Sequence, residues 1–220
     1  MLVKDMDEST YIHTLISEGE HVEQDFKYEI SDARKIARTL SAFANTQGGR
    51  LLIGVKDNGK VAGVRSDEEM YMIEAAAQLY CEPEVAVAMR TYRVDGKTVV
   101  VATVARAEHR PVKAIDEQGR GWAYVRVADE NILATPIHLR VWRDSGDVRP
   151  SVLQFTRLER GILEMLSGEE ECSLNAICRA MRVSRVLILS VLSRFVSWGV
   201  VAMRYDGRRF VYRCSDLGND

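Results

Sequence analysis

Two groups of residues in this 220-residue chain have the types and spacing to do chemistry. The first lies between residues 20 and 64: Glu-His-Val-Glu-Gln-Asp-Phe-Lys, a stretch closing in Ala-Phe-Ala-Asn-Thr-Gln-Gly-Gly, then Leu-Leu-Ile-Gly-Val-Lys-Asp-Asn-Gly-Lys-Val-Ala-Gly-Val. Its carboxylates Asp25 and Asp57 are far apart in the chain, and two paired strands would bring them together. The second group is basic. From Arg179 to Arg213 eight arginines stand against one acid, Asp206, and no lysine follows Lys113. Clustered cations of this kind neutralise phosphates and release counterions. The four histidines (His13, His21, His109, His138) are dispersed, and no Ser-His-Asp or Cys-His arrangement follows from their spacing.

The elements that must position the first group can be read from periodicity. Period two over residues 22–27 sets Val22, Gln24 and Phe26 on one side and Glu23, Asp25 and Lys27 on the other. A helix is expected from about Asp32, with Ser31 as N-cap and Ile36, Ala37, Leu40, Phe43 and Ala44 at helical spacing. Gly48-Gly49 stands where a left-handed helix stop is wanted. Leu51 to Val55 is a short apolar run, expected as a strand buried on both faces. Asn58-Gly59 marks a hairpin turn, with Lys60 to Val64 as the return strand.

This block resembles the Schlafen AlbA-type domain, a divergent AlbA-like fold. Glu20, Asp25, Phe26 and Lys27 fit its Glu-x4-Glu-Phe-Lys opening, with Asp in place of the second Glu. Ala42 to Gly49 and Leu51 to Val64 fit the helix end and the hairpin, and Arg110-Pro111 with Trp122-Ala-Tyr-Val-Arg126 echoes a later strand pair. The resemblance covers roughly residues 12–135. It implies an α+β fold and nucleic acid as partner. Some domains of this type are endoribonucleases whose acids bind a divalent metal; carried over by position, Glu20, Asp25 and Asp57 would be catalytic residues and ligands for Mg²⁺ or Mn²⁺. A hard cation needs several oxygen ligands, and once bound it polarises a phosphate and lowers the pKa of a bound water. The alternative is that Asp25 pairs with Lys27 or an arginine and that Asp57 serves the turn beside it.

Composition narrows the classes. With 46% hydrophobic and 28% charged residues the chain is an ordinary globular one, long enough for one large or two small domains. Net charge is −2, so nucleic-acid binding must use a local patch. Cys81, Cys172, Cys178 and Cys214 contain no C-x-x-C pair, which points to free thiols. No G-x-x-x-x-G-K-[ST] loop is present for ATP. The N-terminus lacks the pattern of a signal peptide, and the longest apolar stretch, Val99 to Ala105, is too short to span a membrane. A cytoplasmic protein without membrane contact is expected.

Downstream, Asp67 to Tyr80 reads as a helix, Glu84–Val94 and Lys97–Ala107 as a hairpin around Asp95-Gly96, Val112–Ile115 and Trp122–Val127 as another, and Thr135–Arg143 as a short helix. The expected division is an α+β domain of mixed or antiparallel sheet over 1–143, a linker over 144–151, and a second domain over 152–220. In that second domain, helices over Phe155–Leu166, Leu174–Met181 (capped by Ser173) and Ser184–Trp198 precede a hairpin around Asp206-Gly207, the order of a winged helix-turn-helix. Its third helix is expected to bury Ile188, Leu189, Leu192, Phe195 and Val196 and to expose Leu187 and Val191 as an apolar strip. The nucleic-acid contacts expected are Lys27, Lys56 and Arg126 in the first domain and Arg185, Arg194, Arg208 and Arg209 in the second, with Arg65 and Arg110 also basic on the first. Three uses fit: a DNA-binding transcriptional regulator, a metal-dependent endoribonuclease acting on RNA, and an assembly module that forms a homodimer through the apolar strip.

Overall fold

The computed structural model describes residues 7–144 and 155–215. The chain is α+β and divides into two compact units, Met1–Ala134 and Thr135–Asp220. The first contains α1 (Glu8–Glu18), β1 (Gln24–Lys27), α2 (Ala33–Asn45), β2 (Gly48–Ile53), α3 (Glu68–Leu79), β3 (Cys81–Glu82), β4 (Val87–Val94), β5 (Lys97–Ala105), β6 (Lys113–Ile115), β7 (Gly121–Val127) and β8 (Glu130–Leu133). Its strands form a sheet in the order β1-β2-β5-β4, parallel only between β1 and β2, and an antiparallel sheet β3-β6-β7-β8.

Alternation along β2 explains its apolar run. Leu51 and Ile53 join α2 and α3 in one core, while Leu52 joins Ile12 and Leu15 of α1 in another. Both faces of the strand are covered over residues 51–53, so those three side chains are apolar. β1 obeys the same rule: Phe26 faces α1, which leaves Asp25 on the α2 face. Burying Leu40, Phe43, Leu51 and Ile53 removes roughly 1.5–3 kcal/mol of apolar exposure apiece.

Three local expectations are corrected. The N-cap of α2 is Asp32, whose carboxylate accepts the Arg34 N–H at 2.9 Å, and not Ser31. Gly48 and Gly49 open β2 instead of closing α2, which ends at Asn45 with Thr46 as its cap. The Asn58-Gly59 turn is present, but Lys60 to Val64 forms no ladder; the return is a single bridge between Val55 and Val61.

The second unit contains α4 (Pro136–Arg143), α5 (Arg157–Leu166), β9 (Cys172–Ser173), α6 (Leu174–Met181), α7 (Arg185–Ser197), β10 (Val201–Tyr205) and β11 (Phe210–Cys214), with the antiparallel order β10-β11-β9. Ser173 caps α6 and Ser184 caps α7, each through its hydroxyl. α4, assigned by sequence to the first domain, packs on α7 and contributes fully buried Ile137 to the second core. Of the linker expected over 144–151, all but Asp144 lies outside the described residues. Val191 shares that core and is 3% exposed, so the apolar strip expected on α7 is corrected too: what faces out is Val186 and Leu187 in its first turn.

Candidate functional site

Asp25 is the most deeply buried acid among the described residues of the first unit. Its Oδ1 lies 3.1 Å from Arg126 Nη2 and its Oδ2 lies 2.7 Å from Lys27 Nζ. The Arg126 and Asp25 side chains are 1% and 5% exposed. Glu20 reaches the same point, with its Oε1 accepting the Phe26 N–H at 2.8 Å and its carboxyl within hydrogen-bonding reach of Asp25. Burial, then the hydrogen bond and charge of Asp25, push the Glu20 carboxyl above its ordinary range. Burial opposes ionisation of Asp25 as well, but the hydrogen bond from Glu20 and the Lys27 and Arg126 cations hold it below the usual range. The two acids therefore titrate as a pair.

This geometry corrects the expected three-acid centre. Asp57 sits exposed in the turn beside Asn58-Gly59, and its carboxylate is not part of the Asp25 cluster. Among the described residues no group of three or more His, Cys, Asp or Glu is placed to hold a metal ion. Two cations already occupy the oxygens of Asp25, so Mg²⁺ or Mn²⁺ would have to displace a buried ion pair to bind there. The donor set does not fit the metal.

Arg126 is corrected as well. It lies in β7 with Nη1 on Asn131 Oδ1 at 3.0 Å, Nη2 on Gln24 O at 3.2 Å and its guanidinium 5.4 Å from the Phe43 ring centroid. Buried and fully engaged, it ties β1 to β7 across α2 and cannot meet a phosphate. Asn45, the Asn of the Ala-Phe-Ala-Asn run, has a matching task that spacing alone did not reveal. Its Nδ2 donates to Val112 O (2.7 Å) and Tyr124 O (2.9 Å), and its Oδ1 accepts the Val112 N–H (2.8 Å).

The remaining predicted contacts divide by whether their charge is already committed. Lys27 is held by Asp25 and by Phe26 O. Lys56 is exposed, 4.9 Å above the Tyr28 ring, which also carries Arg65 at 5.5 Å. Arg194 is bound to buried Glu159, which fastens α7 to α5, and Arg209 lies 3.7 Å from Asp206. Arg185 makes no ion pair among the described residues and donates to a neutral acceptor, Asn175 Oδ1, at 2.7 Å. Arg208, in the β10–β11 turn, is exposed and makes no ion pair among the described residues. The same holds for Arg179 and Arg182, which sequence reasoning counted but did not single out. Arg182 caps α6 at φ 54°, so it stands in the turn leading directly into α7.

The profile of the family described as Schlafen, AlbA_2 matches residues 18–135. Among solved structures, a Corynebacterium diphtheriae protein is similar at 21% identity with a TM-score of 0.44, over 64% of this chain and 33% of that one. The present chain thus spans about a third of that relative. The N-terminal domain of a RecG-related protein from Nitrosomonas europaea is similar at 19% identity with a TM-score of 0.43, over 69% of this chain and 97% of that one. No curated protein matches significantly. No helix among the described residues is long and apolar enough to cross a membrane.

Proposed function

This chain belongs to the Schlafen AlbA_2 family, and from that premise we propose that it binds nucleic acid, with the second unit contacting duplex DNA as a winged helix and the whole serving transcriptional regulation. One observation carries the reading: Arg179, Arg182 and Arg208 are exposed without ion-pair partners among the described residues, and Arg185 joins them with its charge intact. Three of these flank the turn between α6 and α7, and the fourth sits in the hairpin turn that serves as the wing. Ser184 opens α7 there, leaving Val186 (67% exposed) and Leu187 (45%) in its first turn. The first turns of a recognition helix read base edges, and apolar side chains there suit thymine methyl groups.

The metal-dependent nuclease is not retained, because Asp25 is paired with Arg126 and Lys27 and exposed Asp57 does not join it. The test is Arg182→Ala/Arg208→Ala in the full chain, measured by anisotropy on duplex DNA across a salt series. Two lost phosphate contacts should make the slope of log K against log salt shallower by about two, with similar weakening on unrelated sequences. An unchanged slope would remove these arginines from the interface.

A further inference from the structure

The first half of α2 and the turn joining β6 to β7 enclose a cleft of about 480 Å³. This lies within the roughly 300–1,000 Å³ typical of small-ligand sites. One wall is Trp122, which is 40% exposed. The ring is nevertheless fixed. Its Nε1 donates to Asp116 Oδ2 at 2.8 Å, and the Arg120 guanidinium lies 5.6 Å from its centroid. Tyr124 and half-exposed Leu133 extend the apolar side.

The opposite side is cationic. Arg34 and Arg38 are one helical turn apart and share a face of α2. Arg38 is exposed and makes no ion pair among the described residues. Arg34 stacks over Tyr80 at 4.5 Å, and its buried Nε has no hydrogen-bond partner. Two of the three acids nearby accept hydrogen bonds. Asp32 caps α2, and Asp116 accepts from the Gln118 and Arg120 amides (2.9 and 2.8 Å), the Arg120 Nε (3.0 Å) and Trp122. Arg120 neutralises Asp116, which leaves the Asp32 and Glu117 carboxylates beside Arg34 and Arg38.

A fixed indole face opposite two guanidiniums matches one unpaired nucleotide: the base stacks on the ring and the phosphate meets the arginines. A duplex cannot offer this, since its bases are already stacked on one another. We propose that this cleft holds a nucleotide of a single-stranded nucleic acid, with its base on Trp122 and its phosphate on Arg34 and Arg38. The proposal rests on the nucleic-acid reading above and adds to it a site on the first unit and a strandedness.

The full chain is titrated with decathymidylate and decauridylate, following tryptophan emission and the anisotropy of the labelled oligomers, with a duplex measured in parallel. Emission should be quenched on binding. Trp122→Leu should abolish the quench and weaken single-strand binding roughly 5- to 150-fold, the range for one lost stacked base. Arg38→Glu, at an exposed helix position, should weaken it at least about tenfold while leaving the fold intact. Neither change should alter duplex binding. Tighter binding of one oligomer assigns the site to DNA or RNA, and either result supports it. Single-strand affinity unmoved in both variants, with duplex binding retained, overturns this site and leaves the nucleic-acid reading standing; loss of all binding in the parent chain overturns both.

Discussion

Asp25→Asn keeps the shape of the side chain and removes the charge that faces Arg126. The arginine would keep three neutral acceptors: His21 O at 3.4 Å, Gln24 O at 3.2 Å and Asn131 Oδ1 at 3.0 Å. Removing one partner of a buried ion pair costs about 3–5 kcal/mol, because the other charge stays behind in a medium that cannot solvate it. The retained carbonyls place this case near the lower end, at about 3 kcal/mol, or roughly 6–12 °C for a protein of this length. Two units can unfold separately, so the measurement must be local. A urea titration read by amide exchange in peptides spanning β1 and β7 reports the first unit alone. The pH dependence adds a second signature. Asp25, held below its ordinary 3.8, contributes stability that is full above that value and is lost as pH falls through the depressed one. Glu20, held above its ordinary 4.5, has the opposite sign: its contribution is present at acid pH and is lost as pH rises through the raised value. Asparagine at 25 removes the first and weakens the second, so the variant should show a flatter profile on both sides. A midpoint in the β1 and β7 peptides equal to that of the parent would refute the buried-pair account. That result is what a solvent-facing catalytic acid would give.

Two further outcomes follow from the second unit. His138 is pressed between Trp142 and Phe210, and its Nδ1 accepts the Thr135 N–H at 3.1 Å; burial pushes its pKa down to about 4 from 6.5. The unfolded chain therefore binds the extra proton first, and stability of this unit should fall as pH drops from 6.5 toward 4, by at most about 3 kcal/mol. His138→Gln, which can still close the capping box, should abolish that slope in acid-unfolding curves, and a slope left unchanged would assign it to another group. Leu187→Glu should sediment like its parent, because buried Val191 leaves no continuous apolar strip on α7 to hold a dimer; a smaller species in the variant would restore the assembly reading.

What was legible in the sequence is what a single face dictates. The period-two split of β1 holds because α1 covers Phe26 on one side, and the apolar run of β2 holds because both its sides are covered. What lay opposite each face was not legible. Asp25 and Arg126 meet across 101 positions, a partnership no local spacing encodes. The Gly48-Gly49 pair misled for a related reason. Glycine after a helix usually relieves the backbone, and Gly48 does take φ +85°, but a Cβ on Gly49 would stand 2.5 Å from the Phe43 ring. The second glycine is there for a neighbour, not for a turn. α4 went to the wrong domain because its amphipathic pattern says only that one side must be buried, not against which core.

Most of the proposed contacts lie outside the buried part of the family motif, and charge accounting explains why. Asp25, Asn45 and Arg126 sit at the most recognisable points of the sequence, and each is buried and held by partners that join β1, α2 and β7. A group so engaged cannot exchange those partners for a ligand without loss of several kcal/mol. The side chains proposed to take a phosphate include Lys56, Arg38, Arg182 and Arg208, none of which makes an ion pair among the described residues. None of the four cations lies in the buried part of the motif. On this chain the recognisable residues hold the scaffold together, and the proposed binding uses cations that make no ion pair among the described residues.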